Sequence, residues 1–215
     1  MAHPGADGVV STVDEARQSS GIAARARRWL RRMRPDRPAP REPVFELYRC
    51  LVKQARMPAF YRDFGVPDTP EGRFEMVGLH VALVVRRLRV EGMRGSALAQ
   101  ELFDLMFEDI DESLRQIGVG DLSVGRQVKR LAGHFYARLR TLDEALSSGS
   151  SEALRGMLRT NAYHGGVAPT EPQLAGLLRY VIAADQALRA QLAVDLVAGR
   201  LRLVAPEKPE SEAQE

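Results

Sequence analysis

Apolar residues recur at helical spacing between Pro70 and Val90, at Phe74, Val77, Val81, Val84, Val85 and Leu88. A stripe this wide requires packing on more than one side, which predicts a central helix surrounded by others. The neighbouring segments share its period. Val44, Leu47, Tyr48, Leu51, Val52 and Ala55 predict a helix from Pro43 to about Met57, with proline suited to the first position. Pro58 can open a short helix over "PAFYRDF", which Gly65 can end in a left-handed conformation. Asp68 or Thr69 can cap the central helix, with Glu71 reaching back. Ser96 is read as the cap of a helix reaching Ile117, with Leu98, Leu102, Leu105, Met106, Ile110 and Leu114 inward. Gly118 and Gly120 break it. Asp121 or Ser123 then starts a helix on which Val124, Val128, Leu131, Phe135, Leu139 and Leu142 repeat. A short helix is expected over 151–162. Thr170-Glu-Pro-Gln173 has the form of a capping box for a last long helix ending near Gly199. Strand alternation is at most hinted at in "LRLV", 201–204. The expectation is an all-α fold, one compact domain of six or seven helices over 43–204.

The flanks differ from this domain. Residues 1–42 are expected to form a flexible basic segment, and 205–215 a disordered acidic tail. The net charge of +3 conceals eight arginines against the single Asp36 between Ile22 and Arg41. Over about 22–34, Ile22, Ala26, Trp29, Leu30 and Met33 share one helical face, and Arg25, Arg28 and Arg32 another, with Arg31 beside them. Pro35, Pro38 and Pro40 end any helix there. Such a helix suits an anionic membrane surface or RNA phosphates, and a merely solvated tail is the third reading. No run approaches the roughly 20 apolar residues of a membrane span. Cys50 is the one cysteine, which excludes an internal disulfide and fits a reducing compartment.

The sequence holds no convergent catalytic set. Asp104, Glu108 and Asp111 or Glu112 share a helical face, but no histidine lies near enough for a di-iron Glu-x-x-His pattern. A solvated or partner-facing acidic stripe is the better reading. His80, His134 and His164 are dispersed and form no metal quartet with Cys50. Ser123 lacks the G-x-S-x-G spacing and preceding strand of a nucleophile elbow. "GVGDLSVG" is followed by no Gly-Lys-Ser/Thr, so it is not a phosphate loop. The chain is read as a non-enzyme without cofactor or metal.

The most detailed stretch is a connection. Residues 57–75, "MPAFYRDFGVPDTPEGRFE", hold three prolines and two glycines within nineteen residues. Phe60, Tyr61, Phe64 and Phe74 are interleaved with Arg62, Asp63, Asp68, Glu71 and Arg73. Prolines and glycines hold such a segment in one shape and lower the entropy lost when it packs or binds. Two roles fit: aromatics locking the connection to the core, with Arg62 or Arg73 paired to Asp109 or Asp111, and a rigid recognition surface.

Two blocks, "QARMPAFYRDFGVPDTPEGRFEMVGLHVALVVRRLR" (54–89) and "LFDLMFEDIDESLRQIGVGDLSVGRQVKRLAGHFYARL" (102–139), resemble the ubiquinol–cytochrome c chaperone family. The likeness continues weakly to about 204. It implies an all-α assembly chaperone for the cytochrome bc1 complex. Such a protein acts peripherally on the cytoplasmic face of the inner membrane, or on the matrix side in mitochondria. It further implies binding of newly made cytochrome b, with a small partner subunit and a ribosome contact as further expectations, and no DNA. By match to the two blocks, Tyr61, Arg62, Asp63, Phe64, Asp68, Arg73, Phe74, His80, Asp104, Phe107, Glu108, Asp109, Arg115 and Asp121 are candidates for core signature or client contact. Phe60 and Asp111 join them from the residue reading.

Overall fold

The computed structural model of the chain describes residues 42–116 and 121–209, with side chains of the second stretch from Val124 onward. The described residues are helical with no strand. In chain order the helices are α1 (Glu42–Ala55), α2 (Pro58–Arg62), α3 (Pro70–Arg89), α4 (Gly92–Gln116), α5 (Asp121–Ser148), α6 (Ser151–Asn161), α7 (Glu171–Ala190) and α8 (Ala193–Val197). The expected basic helix over 22–34, with Arg25, Arg28, Trp29, Arg31 and Arg32, lies outside the described residues.

Helix α3 is central, as its stripe requires: it packs against α1, α4, α5 and α7. Val81, Val84, Val85 and Leu88 are buried, while Phe74 and Val77 are half-buried near its start. Thr69 caps it by accepting from the Gly72 amide at 3.1 Å, and Pro70 occupies the first turn. The expected return contact from Glu71 is replaced: a capping box needs its acid at the third helical position, which Gly72 holds. Arg86, Arg87 and Arg89 in the last turn complement the negative end of the helix dipole.

Three boundaries differ from expectation. The turn after α3 is closed by the Glu91 amide on the Leu88 carbonyl at 3.0 Å, so α4 restarts at Gly92 and Ser96 lies inside it rather than at its cap. The last long helix does not run to Gly199. It stops at Ala190 because Gln191 turns extended, ψ 142°, and α8 follows as a separate turn. Arg87 stabilises that break by donating to the Leu188 and Gln191 carbonyls, each at 3.0 Å, which satisfies acceptors left free at a helix end. Residues 201–204 are not a strand. Their backbone is held by side chains: Gln54 donates to the Val204 carbonyl at 2.7 Å, and Gln191 both donates to and accepts from Arg202 at 2.8 Å. The chain continues packed as far as Pro209, which is buried over Gly176.

Helices α3 and α7 run parallel. His80 faces Tyr180, Arg86 meets Asp185 and Arg87 reaches Leu188, so both helices finish at the same end of the domain. The capping box that opens α7 is complete: Thr170 accepts from the Gln173 amide, and Gln173 accepts from Thr170.

Candidate functional site

The proline- and glycine-rich connection forms a clamped corner between α2 and α3. Phe60 and Phe64 are fully buried, 5.7 Å apart between ring centres, and Phe60 stands edge-on to His80 and Tyr180. The aromatic lock expected of this connection is therefore present. Gly65 takes the left-handed conformation, φ 69°. Tyr163 donates to the Phe64 carbonyl at 2.9 Å. At Gly72, a Cβ would lie 2.0 Å from the Pro67 carbonyl oxygen, so only glycine lets the first turn of α3 come this close.

Other parts of the corner remain at the surface. Arg62 is exposed and grips Asp63 through two hydrogen bonds of 2.8 Å. Arg73 pairs with Asp68 at 2.6 Å and lies 5.8 Å over the Tyr61 ring, whose hydroxyl donates to the Ala55 carbonyl. These local pairs correct the expected partners, since Asp109 accepts from Tyr48 at 2.7 Å and Asp111 pairs with Arg115 at 2.7 Å. A neighbour one to five residues away in a turned segment is simply nearer than another helix. The arginines beside Asp63 and Asp68 hold both carboxyls below the usual aspartate range.

The other sequence candidates divide by burial. Asp104 is 1% exposed and accepts from Gln100 at 2.8 Å, so it is no part of a solvated stripe. The helical face shared with Glu108 and Asp111 turns inward at its α4 midpoint, where Phe103 and Phe107 join Phe135 in an aromatic group. Phe107 is buried; Glu108 and Asp111 are half-buried, and Asp109 and Arg115 are exposed. Phe74 carries Arg138 over its ring at 5.8 Å, and Arg138 also pairs with Glu75. Burial pulls the Arg138 guanidinium down to about 10. Asp121 opens α5, and its side chain lies outside the described ones. Among the described residues no group of His, Cys, Asp and Glu could hold a metal ion.

His80 is a core histidine. Its Nδ1 donates to the Met76 carbonyl at 2.7 Å and its Nε2 accepts from Tyr180 at 2.7 Å, while Gln54 donates to the same hydroxyl at 3.1 Å. Burial pushes its pKa down to about 4, the Met76 bond opposing this in part. The sequence reading missed a second polar centre: Arg86 binds Asp185 at 2.6 Å and Asp143 at 2.7 Å, and Asp185 also takes Arg189 at 2.8 Å. The only signal was a pair of arginines at the end of an otherwise apolar face.

The described residues thus form an all-helical domain with a corner of aromatic and ion-paired side chains between α2 and α3. The ubiquinol–cytochrome C chaperone family matches residues 62–203. The chain belongs to that family, a family of chaperones rather than catalysts. It is 24% identical over 105 residues to the ubiquinol-cytochrome-c reductase complex assembly factor 1 of Xenopus laevis, covering 49% of this chain and 52% of that one. With the Mus musculus protein of the same name it shares 24% identity over 154 residues, 72% of this chain and 52% of the relative. The chain thus spans about half the length of these curated relatives. Its fold is also that of the crystal structure of the Cbp3 homolog from Brucella abortus: 31% identity, TM-score 0.71, covering 93% of this chain and 99% of that one.

Proposed function

We propose that this protein is a non-enzymatic chaperone that holds newly made cytochrome b and supports assembly of the cytochrome bc1 complex, working peripherally at the inner membrane. The observation that carries the reading is the corner at 57–75. Phe60 and Phe64 anchor it in the core, while Tyr61, Arg62, Asp63, Asp68 and Arg73 stay at or near the surface in set positions. A surface fixed before binding loses little entropy on binding, and paired charges can be exchanged for those of a client without leaving ions unpaired. Family membership supports the class of client. No described helix is long and apolar enough to cross a membrane, in keeping with a peripheral role.

The test is a reduced-minus-oxidised difference spectrum of membranes from a strain lacking the gene, beside the parent and a complemented strain. Selective loss of the bc1 haem signals supports assembly work, and unchanged bc1 content refutes it. A photo-crosslinking residue at Arg62 or Asp68 then tests the client. Capture of cytochrome b during its synthesis supports that choice, and capture of other subunits alone overturns it.

A further inference from the structure

Most of the large apolar side chains exposed among the described residues gather at one end of the domain. Val90, the residue that ends α3, is 75% exposed and Met93, in the first turn of α4, 91%; Leu192, in the link from α7 to α8, is 67% exposed and Val194, in the first turn of α8, 65%. The two connections lie together because α3 and α7 run parallel and end side by side. Arg87 ties them, pairing with Glu91 while donating to the Gln191 carbonyl. Exposed apolar side chains gathered in one place and rimmed by polar groups are a mark of a contact surface.

A groove of about 710 Å³ opens beside Leu192. Arg49, Lys53, Arg200 and Arg202 line it, against the acids Glu46 and Asp195. Both acids are already committed, Glu46 to Arg49 at 2.5 Å and Asp195 to Arg200 at 2.6 Å. Lys53 and Arg202 have no ion-pair partner among the described residues, and Arg94 is exposed one residue beyond Met93. The groove therefore presents surplus positive charge next to protruding apolar side chains. Pro43, beside the first described residue, stands at the same place, for a Cβ on Gly199, another lining residue, would lie 2.8 Å from its Cα.

We propose that this end of the domain docks on an anionic phospholipid bilayer, with Val90, Met93, Leu192 and Val194 entering the interface and the Lys53/Arg202 groove receiving lipid phosphates. The combination decides the occupant. Separate apolar tips at two helix junctions suit the disordered headgroup boundary, and cations around them are attracted to its negative potential. This surface belongs to the folded domain and needs no helix in residues 22–34. It also needs no chaperone activity, so the two proposals fail separately.

Co-sedimentation with vesicles tests it, using the full chain with Arg25, Arg28, Arg31 and Arg32 changed to Gln and Trp29→Ala, so that the folded domain is read. Vesicles of phosphatidylcholine are compared with vesicles containing phosphatidylglycerol. Selective binding to the anionic vesicles is expected. Leu192→Ser with Val194→Ser should weaken it about tenfold. Met93→Ser is a second variant should that pair disturb folding. Lys53→Gln and Arg202→Gln should each weaken it about fivefold. Val167→Ser, an exposed apolar residue elsewhere, should leave binding unchanged. Equal binding by tip variants and parent overturns the proposal. Full competition by inorganic phosphate at the same phosphate concentration makes the groove an anion site rather than a lipid site, and overturns it too. Loss of self-association in the tip variants with unchanged vesicle binding would assign the patch to a second copy of the chain.

Discussion

The Tyr180 hydroxyl lies 2.7 Å from Nε2 of His80 and joins the last long helix to the central one. Gln54 on α1 donates to the same hydroxyl, and to the Val204 carbonyl of the segment that crosses over it. Three helices and the C-terminal segment thus meet on one line of hydrogen bonds, which is satisfied only with a neutral imidazole. Protonating His80 would put a second donor opposite Tyr180 inside the core, and burial already pushes the Tyr180 hydroxyl up to about 12.

Stability should therefore depend on pH in a set window. His80 has a folded-state pKa of about 4 against an ordinary 6.5, so the unfolded chain takes up the proton first as pH falls. The contribution is full above about 6.5 and is lost progressively between there and about 4. The shift corresponds to a loss of roughly 3 kcal/mol at most. Urea midpoints from pH 7 to pH 4 should show this slope, and His80→Gln should flatten it.

Gly72→Ala should destabilise the fold by about 1–3 kcal/mol, because its methyl group would meet the Pro67 carbonyl and displace the corner. Gly125→Ala offers the contrast. It is exposed within α5 with open space at its Cβ, and should gain roughly 0.5–1 kcal/mol from helix propensity. Equal urea midpoints for the two variants would refute the close approach at Gly72.

Arg86→Met should cost about 3 kcal/mol, since it removes the partner of a buried Asp185 that keeps only the more exposed Arg189. The double variant Arg86→Met with Asp185→Leu should be less damaging than the sum of the two singles. A double-mutant cycle read by urea unfolding measures that coupling, and simple additivity would show that the pair does not interact.

The surface half of the corner should separate from its buried half in cells. Arg62→Ala and Arg73→Ala break exposed pairs and should change stability by less than about 0.5 kcal/mol. Both should still lower bc1 haem content in a complemented strain. Phe64→Ala should cost about 3–5 kcal/mol and lower bc1 content through loss of folded protein. Normal bc1 content with both arginine variants would remove the corner from the client surface.

What the sequence by itself determined is local. The period of apolar residues marks α3 as central, the Thr170–Gln173 box opens α7, and Pro58 and Gly65 bound a short helix, because each signal acts within one or two turns of chain. Family membership was legible in the same way, through two blocks of unusual composition. Partners across the fold were not legible. Arg62 and Arg73 could have reached several acids, and only the folded corner selects Asp63 and Asp68. Asp104 reads as one more acid on a charged face, yet packing carries that part of α4 into an aromatic core. The end of α7 departs from the sequence expectation at an extended Gln191, a break that Arg87, a hundred residues earlier, stabilises by binding the Leu188 and Gln191 carbonyls. Parallel α3 and α7 bring Val90 and Met93 beside Leu192 and Val194, a proximity that no spacing along the chain encodes. Hydrogen bonds, ion pairs and burial depend on distance in space, and for residues far apart in sequence tertiary packing alone sets that distance.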